Sequence, residues 1–489
     1  MHDQRKVRSG DISESDRKKL LVEVKQFTAL YDDLLDKRQQ RMYGVEVLPQ
    51  LAELLKKNAE AYTMYNYRRE VLLDIWHSQE VDGGEQAGDL PVASSVGDVA
   101  ELAPVKTKLE WLKDELKLSS TILQRDYKVY AAFLHRRWIF TQMRRFAEIS
   151  LENFGATGTS RSASGDEDQS VKNDTTSDRE PPEEVLFWAT ALYKEKKQGD
   201  ALLAMDERNF HAWGFRRWAM WQLGEMEKFL TWHSIKLGPN VASVKEGDFA
   251  SYLNGSSGGG QPHGPQDVLF TPEELKELSF TSAAVRRNFS NYSAWHQRGF
   301  IVQGALRRLQ QRQWTGGNPG EDKLRVDMVS QAWCRLEEDL ALLTTAIYCD
   351  PLDQSAWYYA QFLIHASEQL RALPFEVASH VDIAAKLSEV CLDLVGEERR
   401  LGEDMETYWP YLHLMTSLLP ALKHSNANGV QPNIALAREV RRLMRPNEQC
   451  VNSDDDCIKC VQELAAHLRL ADPLRAGMYE ALLNSVSLT

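Results

Sequence analysis

The chain has 489 residues, 43% of them hydrophobic, and a formal net charge of -13 at neutral pH. That length and 13 tryptophans allow a large core, while an acidic balance with Lys and Arg scattered among Asp and Glu excludes the basic footprint of a nucleic-acid-binding surface. No run approaches the ~18 apolar residues that cross a bilayer, the opening residues 1–8 are too polar for a secretory leader, and six cysteines make no disulfide scaffold, so a cytoplasmic protein is expected.

From Ser13 to about Arg41, Leu20, Val24, Phe27, Tyr31 and Leu34 recur every three or four residues, which predicts an amphipathic helix. A second helix, from Leu48 through Leu55, leads into a third that runs on to Trp76. Residues 81–105 turn to Gly, Ala, Ser, Asp and Pro and are expected as a polar insertion. A helical hairpin is expected over about Lys106 to Ser150, followed by a second insertion at 155–182, further helices, and insertions at 239–265 and 314–322. No strand alternation and no Gly-rich phosphate turn occurs, so the fold class is all-α.

One motif recurs along this helical pattern. With Trp213 as position zero, Asn or Asp falls at minus four (Asn209, Asn291, Asp353), an aromatic at minus three (Phe210, Tyr292) and Arg at plus three (Arg216, Arg298) around Trp213, Trp295 and Trp357. Weaker copies centre on Tyr65, with Arg68, and on Phe133, with Tyr130 and Arg136; Trp409 closes the series without an Arg. Asn or Asp suits a helix N-cap, since its oxygen accepts from an unpaired backbone N–H of the first turn. Positions minus three, zero and plus three are expected to share one stripe that packs on a neighbouring helix. A helix start repeated with one aromatic predicts a single domain over 1–489, an array of stacked helical hairpins. The zero positions stand 62 to 82 residues apart, longer than common helical repeats, and the insertions account for the excess.

Chemistry is less legible. Cys450, Cys457 and Cys460 with His467 have the residue types of a zinc site, but Cys457 and Cys460 one turn apart equally suit a buried helix face. His135, His211 and His296 lie in or beside the motif without a recurring Ser or Cys nucleophile. On its own the array is a binding surface.

The motif resembles the repeat of protein prenyltransferase α subunits, seen in Asn209-Phe210-His211-Ala212-Trp213-Gly214-Phe215-Arg216 and Asn291-Tyr292-Ser293-Ala294-Trp295-His296-Gln297-Arg298. Within that family the chain is most similar to the Rab geranylgeranyltransferase (type II) subclass, in a compact form without leucine-rich repeats. The resemblance implies a right-handed array of hairpins curved into a tetratricopeptide-like crescent, a β-subunit partner that holds zinc and geranylgeranyl diphosphate, and transfer of the geranylgeranyl group to C-terminal cysteines of Rab GTPases presented by the Rab escort protein. It implies that Lys128 and Tyr130 stand near the departing diphosphate, although Val129 and Phe133 replace the usual Asn and Trp. It implies that Asn209, His211, Asn291 and Tyr292 face the partner, and that His2 could reach the partner's zinc. Ala360 stands where Arg is expected. Two other readings remain open: the α subunit shared by farnesyltransferase and type I geranylgeranyltransferase, and a non-enzymatic tetratricopeptide-like adaptor, whose small-residue pattern the Trp motif lacks.

Overall fold

The computed structural model describes residues 13–85, 106–159, 180–233, 235, 269–312, 319–373, 380–402, 407–424, 433–445 and 454–487. Among them are sixteen α-helices, a single 3-10 turn (Pro473–Arg475) and no strand. The chain divides into two compact units, 1–257 and 258–489.

In the first unit α1 (Glu14–Gln39) packs on α2 (Val47–Lys57), which pairs with α3 (Tyr62–Glu85). Two further hairpins follow, α4 (Lys108–Arg125) with α5 (Tyr130–Thr159) and α6 (Glu183–Met205) with α7 (Phe210–Trp232). Contacts of α2 with α4, of α3 with α5 and of α5 with α7 put first helices in one layer and second helices in another. The second unit repeats the plan with α8 (Pro272–Arg287) and α9 (Tyr292–Gln311), α10 (Pro319–Cys349) and α11 (Gln354–Arg371), α12 (Ile383–Leu401) and α13 (Trp409–His424), then α14 (Ile434–Met444), α15 (Asp454–Ala471) and α16 (Ala476–Ser487).

Five hairpin turns are built by one residue seven places before position zero. Asn58, Asp126, Asp206 and Asn288 each close the first helix as its C-cap. Their Oδ1, and that of Asp350, then accept the backbone N–H two residues on, at 3.0–3.3 Å. This Asx turn swings the chain straight into the second helix. Asn209, Asn291 and Asp353 cap that helix from minus four, each accepting first-turn N–H groups. The tryptophans fasten the same turn from inside: Nε1 of Trp213, Trp295 and Trp357 donates to the carbonyl six residues back, at 2.8 Å in all three.

Position zero is buried in every copy: Tyr65, Phe133, Trp213, Trp295 and Trp357 are at most 3% exposed. Its ring packs on the ring at plus two of the next hairpin, Tyr65 on His135 (5.2 Å), Phe133 on Phe215 (5.4 Å) and Trp295 on Tyr359 (4.7 Å). Successive hairpins are thus joined through one aromatic seam within each unit.

Arg at plus three is equally buried and links three elements. Nη1 of Arg68, Arg136 and Arg298 donates to the carbonyl of Leu48, Leu116 and Leu278 on the first helix of its own hairpin. The rest of each guanidinium holds an acid on the next hairpin, Glu115, Glu195 and Asp339 respectively. Arg216, also buried, binds Asp200 on α6.

Several expectations require correction. The aromatic at minus three does not join the buried stripe: Tyr130, Phe210 and Tyr292 are 54%, 67% and 52% exposed. Each residue turns a helix by 100°, so minus three and plus three lie 120° apart, on opposite flanks of position zero, and the packing buries the plus-three flank. Helix α1 buries only Leu34, with Leu20 and Val24 about half exposed; it packs mainly on α2 and meets α3 through the Arg38–Glu70 ion pair. The insertion boundaries also shift: α3 continues to Glu85, α5 to Thr159, and α10 already starts at Pro319. The remainder of those four stretches, and His2 and Cys450, lie outside the described residues except for 180–182.

Candidate functional site

The chemistry-bearing residues singled out from the sequence meet where α5 and α7 begin. Lys128 sits in the turn between α4 and α5, its backbone N–H donating to Asp126. Its Nζ lies 2.5 Å from Asp206 Oδ2 in the next hairpin's turn. That hydrogen bond raises the Lys128 pKa, so the ammonium is firmly charged. Partial burial pushes the Asp206 carboxyl upward, but the bonds from Lys128 and the Arg208 N–H outweigh it and hold the acid below its usual range.

Tyr130, on the first turn of α5, faces His211 on the first turn of α7 with ring centroids 5.5 Å apart. His211 also lies nearly parallel to Phe133 at 6.2 Å and close to Phe210 at 4.0 Å. Burial, and then the nearby Lys128 charge, keep its pKa below the ordinary histidine value. An ammonium, a phenol and a neutral imidazole therefore stand together, all three reached by solvent, beside two helix N-termini.

Asn209 and Asn291 do not belong to a partner-facing surface. Asn209 is 1% exposed; its Oδ1 accepts from His211 and Ala212 while its Nδ2 donates to the Tyr127 carbonyl at 2.6 Å. Asn291 is fully buried and caps α9. A capping amide must sit inside the turn it closes, which removes it from any surface. Tyr292 is half exposed, together with Phe300 and Tyr358, along an apolar groove of about 360 Å³ between α9 and α11.

The cysteines resolve in favour of packing. Cys457 and Cys460 are both 1% exposed, the Cys460 thiol donates to the Ala437 carbonyl, and burial pushes its pKa up to about 12. His467 packs on Tyr411 instead, 4.3 Å between ring centroids. Among the described residues no group of three or more His, Cys, Asp or Glu is placed to hold a metal ion, and no helix is long and apolar enough to cross a membrane.

The acids that bind the plus-three arginines were missed, although the sequence carries them in register. Glu115, Glu195 and Asp339 fall eighteen residues before Phe133, Trp213 and Trp357, and Glu277 stands in the same place before Trp295. Asp206, at minus seven, lies outside the motif, and nothing local in the sequence tells which lysine its second oxygen meets.

Residues 112–143, 275–305 and 336–367 match the protein prenyltransferase alpha subunit repeat, each stretch containing one such acid and one position-zero aromatic. In these three stretches the chain is similar to protein prenyltransferase α subunits. The chain is similar to the geranylgeranyl transferase type-2 subunit alpha of Candida albicans, 21% identical over 70% of this chain and 67% of that protein, and to that of Saccharomyces cerevisiae, 22% identical over 69% and 64%. The bovine (Bos taurus) subunit of the same name is 24% identical over 76% of this chain but 43% of its own length. The chain therefore spans about two thirds of these yeast proteins and less than half of the bovine one. The hairpins centred on Tyr65 and Trp213 lie outside the matched stretches, yet they share the Asx turn and buried arginine of the hairpins centred on Phe133 and Trp295.

Proposed function

We propose that this chain is the α subunit of a type-2 geranylgeranyl transferase and acts with a β subunit to move a geranylgeranyl group from its diphosphate to C-terminal cysteines of Rab GTPases delivered by the Rab escort protein. The name shared by its relatives supports this reading, and the cluster of Lys128, Tyr130 and His211 is the observation that carries it. When the prenyl C–O bond breaks, negative charge gathers on the departing diphosphate. The Lys128 ammonium and the Tyr130 hydroxyl can donate to those oxygens, and a helix N-terminus favours the same charge. The neutral His211 can donate through one ring nitrogen without adding charge. Zinc bound by the β subunit would lower the pKa of the acceptor thiol. The exposed aromatics Tyr130, Phe210 and Tyr292 and the half-buried His211 are proposed to face that subunit.

The test is a prenylation assay of the heterodimer made with a type-2 β subunit, using a Rab substrate with and without escort protein. Lys128→Ala is expected to assemble normally and to lower kcat by about 10- to 100-fold, as loss of one donor at a developing anion does. A stable, active complex with a farnesyltransferase β subunit instead would overturn the assignment.

A further inference from the structure

Asp206 divides its two oxygens between different tasks. Oδ1 accepts the Arg208 N–H and forms the turn, and the same bond is made by Asn58 and Asn288 in other hairpins. The turn therefore needs an oxygen but no charge. Among the described residues Oδ2 serves the second task, the contact with Lys128 at 2.5 Å. This pairing of minus five with minus seven of the next hairpin is special to this place. The corresponding residues are Glu60 with Asp126 in the hairpins before, where two acids cannot form an ion pair, and Ser290 with Asp350 further on. The carboxylate is partly exposed, as is the ammonium, so a soluble anion can reach both. Arg208 stands on the surface beside them and Tyr130 and His211 border the same patch.

We infer that Asp206 is an internal counter-anion: it occupies and aims the Lys128 ammonium, and the diphosphate of the prenyl donor must take its place, so that Asp206 sets the affinity of this anion site. The inference rests on the reading of Lys128 given above. Asp206 is on this view a positioning residue acting through Lys128. An ion pair open to solvent is weak enough for a multiply charged ligand to displace, and its loss leaves the cation free to attract.

Asp206→Asn separates the two tasks, because asparagine already makes the turn at 58 and 288. In the heterodimer, Asp206→Asn is expected to lower both the inhibition constant of inorganic diphosphate and the KM for geranylgeranyl diphosphate by about two- to five-fold, with an unchanged unfolding midpoint. The same substitution in a Lys128→Ala background is expected to change neither constant, a result that a purely structural role would not give. Unchanged constants in the single variant, or equal changes with and without Lys128, overturn the inference while the assignment stands if the wild-type heterodimer turns over. A wild-type heterodimer that transfers no geranylgeranyl group, or one indifferent to Lys128→Ala, overturns the reading of Lys128 and this inference with it.

Discussion

One Asn or Asp oxygen makes the turn of five hairpins, and in three of them an indole N–H fastens it as well. Trp295 shows both halves of its role: the ring fills the seam against Tyr359, and Nε1 donates to the Phe289 carbonyl. Phe133 fills the same seam with no donor to offer, so the ring is required and the hydrogen bond is an addition. Trp295→Phe is therefore expected to leave the protein folded and to cost about 1 kcal/mol, read as a lower urea midpoint. Trp295→Ala, which empties the seam, should cost about 3–5 kcal/mol in the same measurement.

Between elements, the linkage is electrostatic and comes in matched pairs. Arg298 and Asp339 are 2% and 0% exposed in their side chains, and the Tyr359 hydroxyl donates to the second Asp339 oxygen. Removing one partner strands a buried charge, so Arg298→Ala is expected to cost about 3–5 kcal/mol, and Arg298→Ala with Asp339→Ala together clearly less than the sum of the two single losses. The chain carries that double replacement itself. Ala360 stands at plus three after Trp357, and the residue eighteen before Trp409 is the buried Cys391, so cation and acid are missing together where α11 meets α12. Burial alone raises the Cys391 thiol well above its ordinary pKa, consistent with an apolar joint.

For the molecule as a whole, the buried ionisable groups make acid the main threat, through different residues in each unit. In the second, burial lowers the His413 pKa to about 4 from 6.5. The unfolded chain then binds more protons than the folded one, so stability is full above about pH 6.5 and is lost as pH falls towards 4, by up to about 3 kcal/mol. In the first, burial pushes Glu115 upward, but Arg68 and His135 outweigh it and bring its pKa to about 2 from 4.5. Its contribution is present above pH 4.5 and is lost between 4.5 and 2. Urea unfolding from pH 7 to pH 4 is expected to show a falling midpoint, and His413→Gln should flatten that slope; an unchanged slope would remove His413 as its cause.

The sequence by itself determined the helix class, the positions of the hairpin turns and the buried aromatic of each repeat, because capping, turn formation and amphipathic period are local and act over a few residues. It also held the seven-before-zero turn residue and the eighteen-before-zero acid, whose meaning shows only once each is seen bonded to its partner. Which carboxylate meets which cation was decided by the tertiary structure: Arg68 with Glu115, Arg298 with Asp339 and Lys128 with Asp206 are 41 to 78 residues apart. The exposure of Tyr130, Phe210 and Tyr292 and the burial of Asn209 and Asn291 were settled there too, since helical spacing says which residues are neighbours on a cylinder while only the packed hairpins say which side of it meets water.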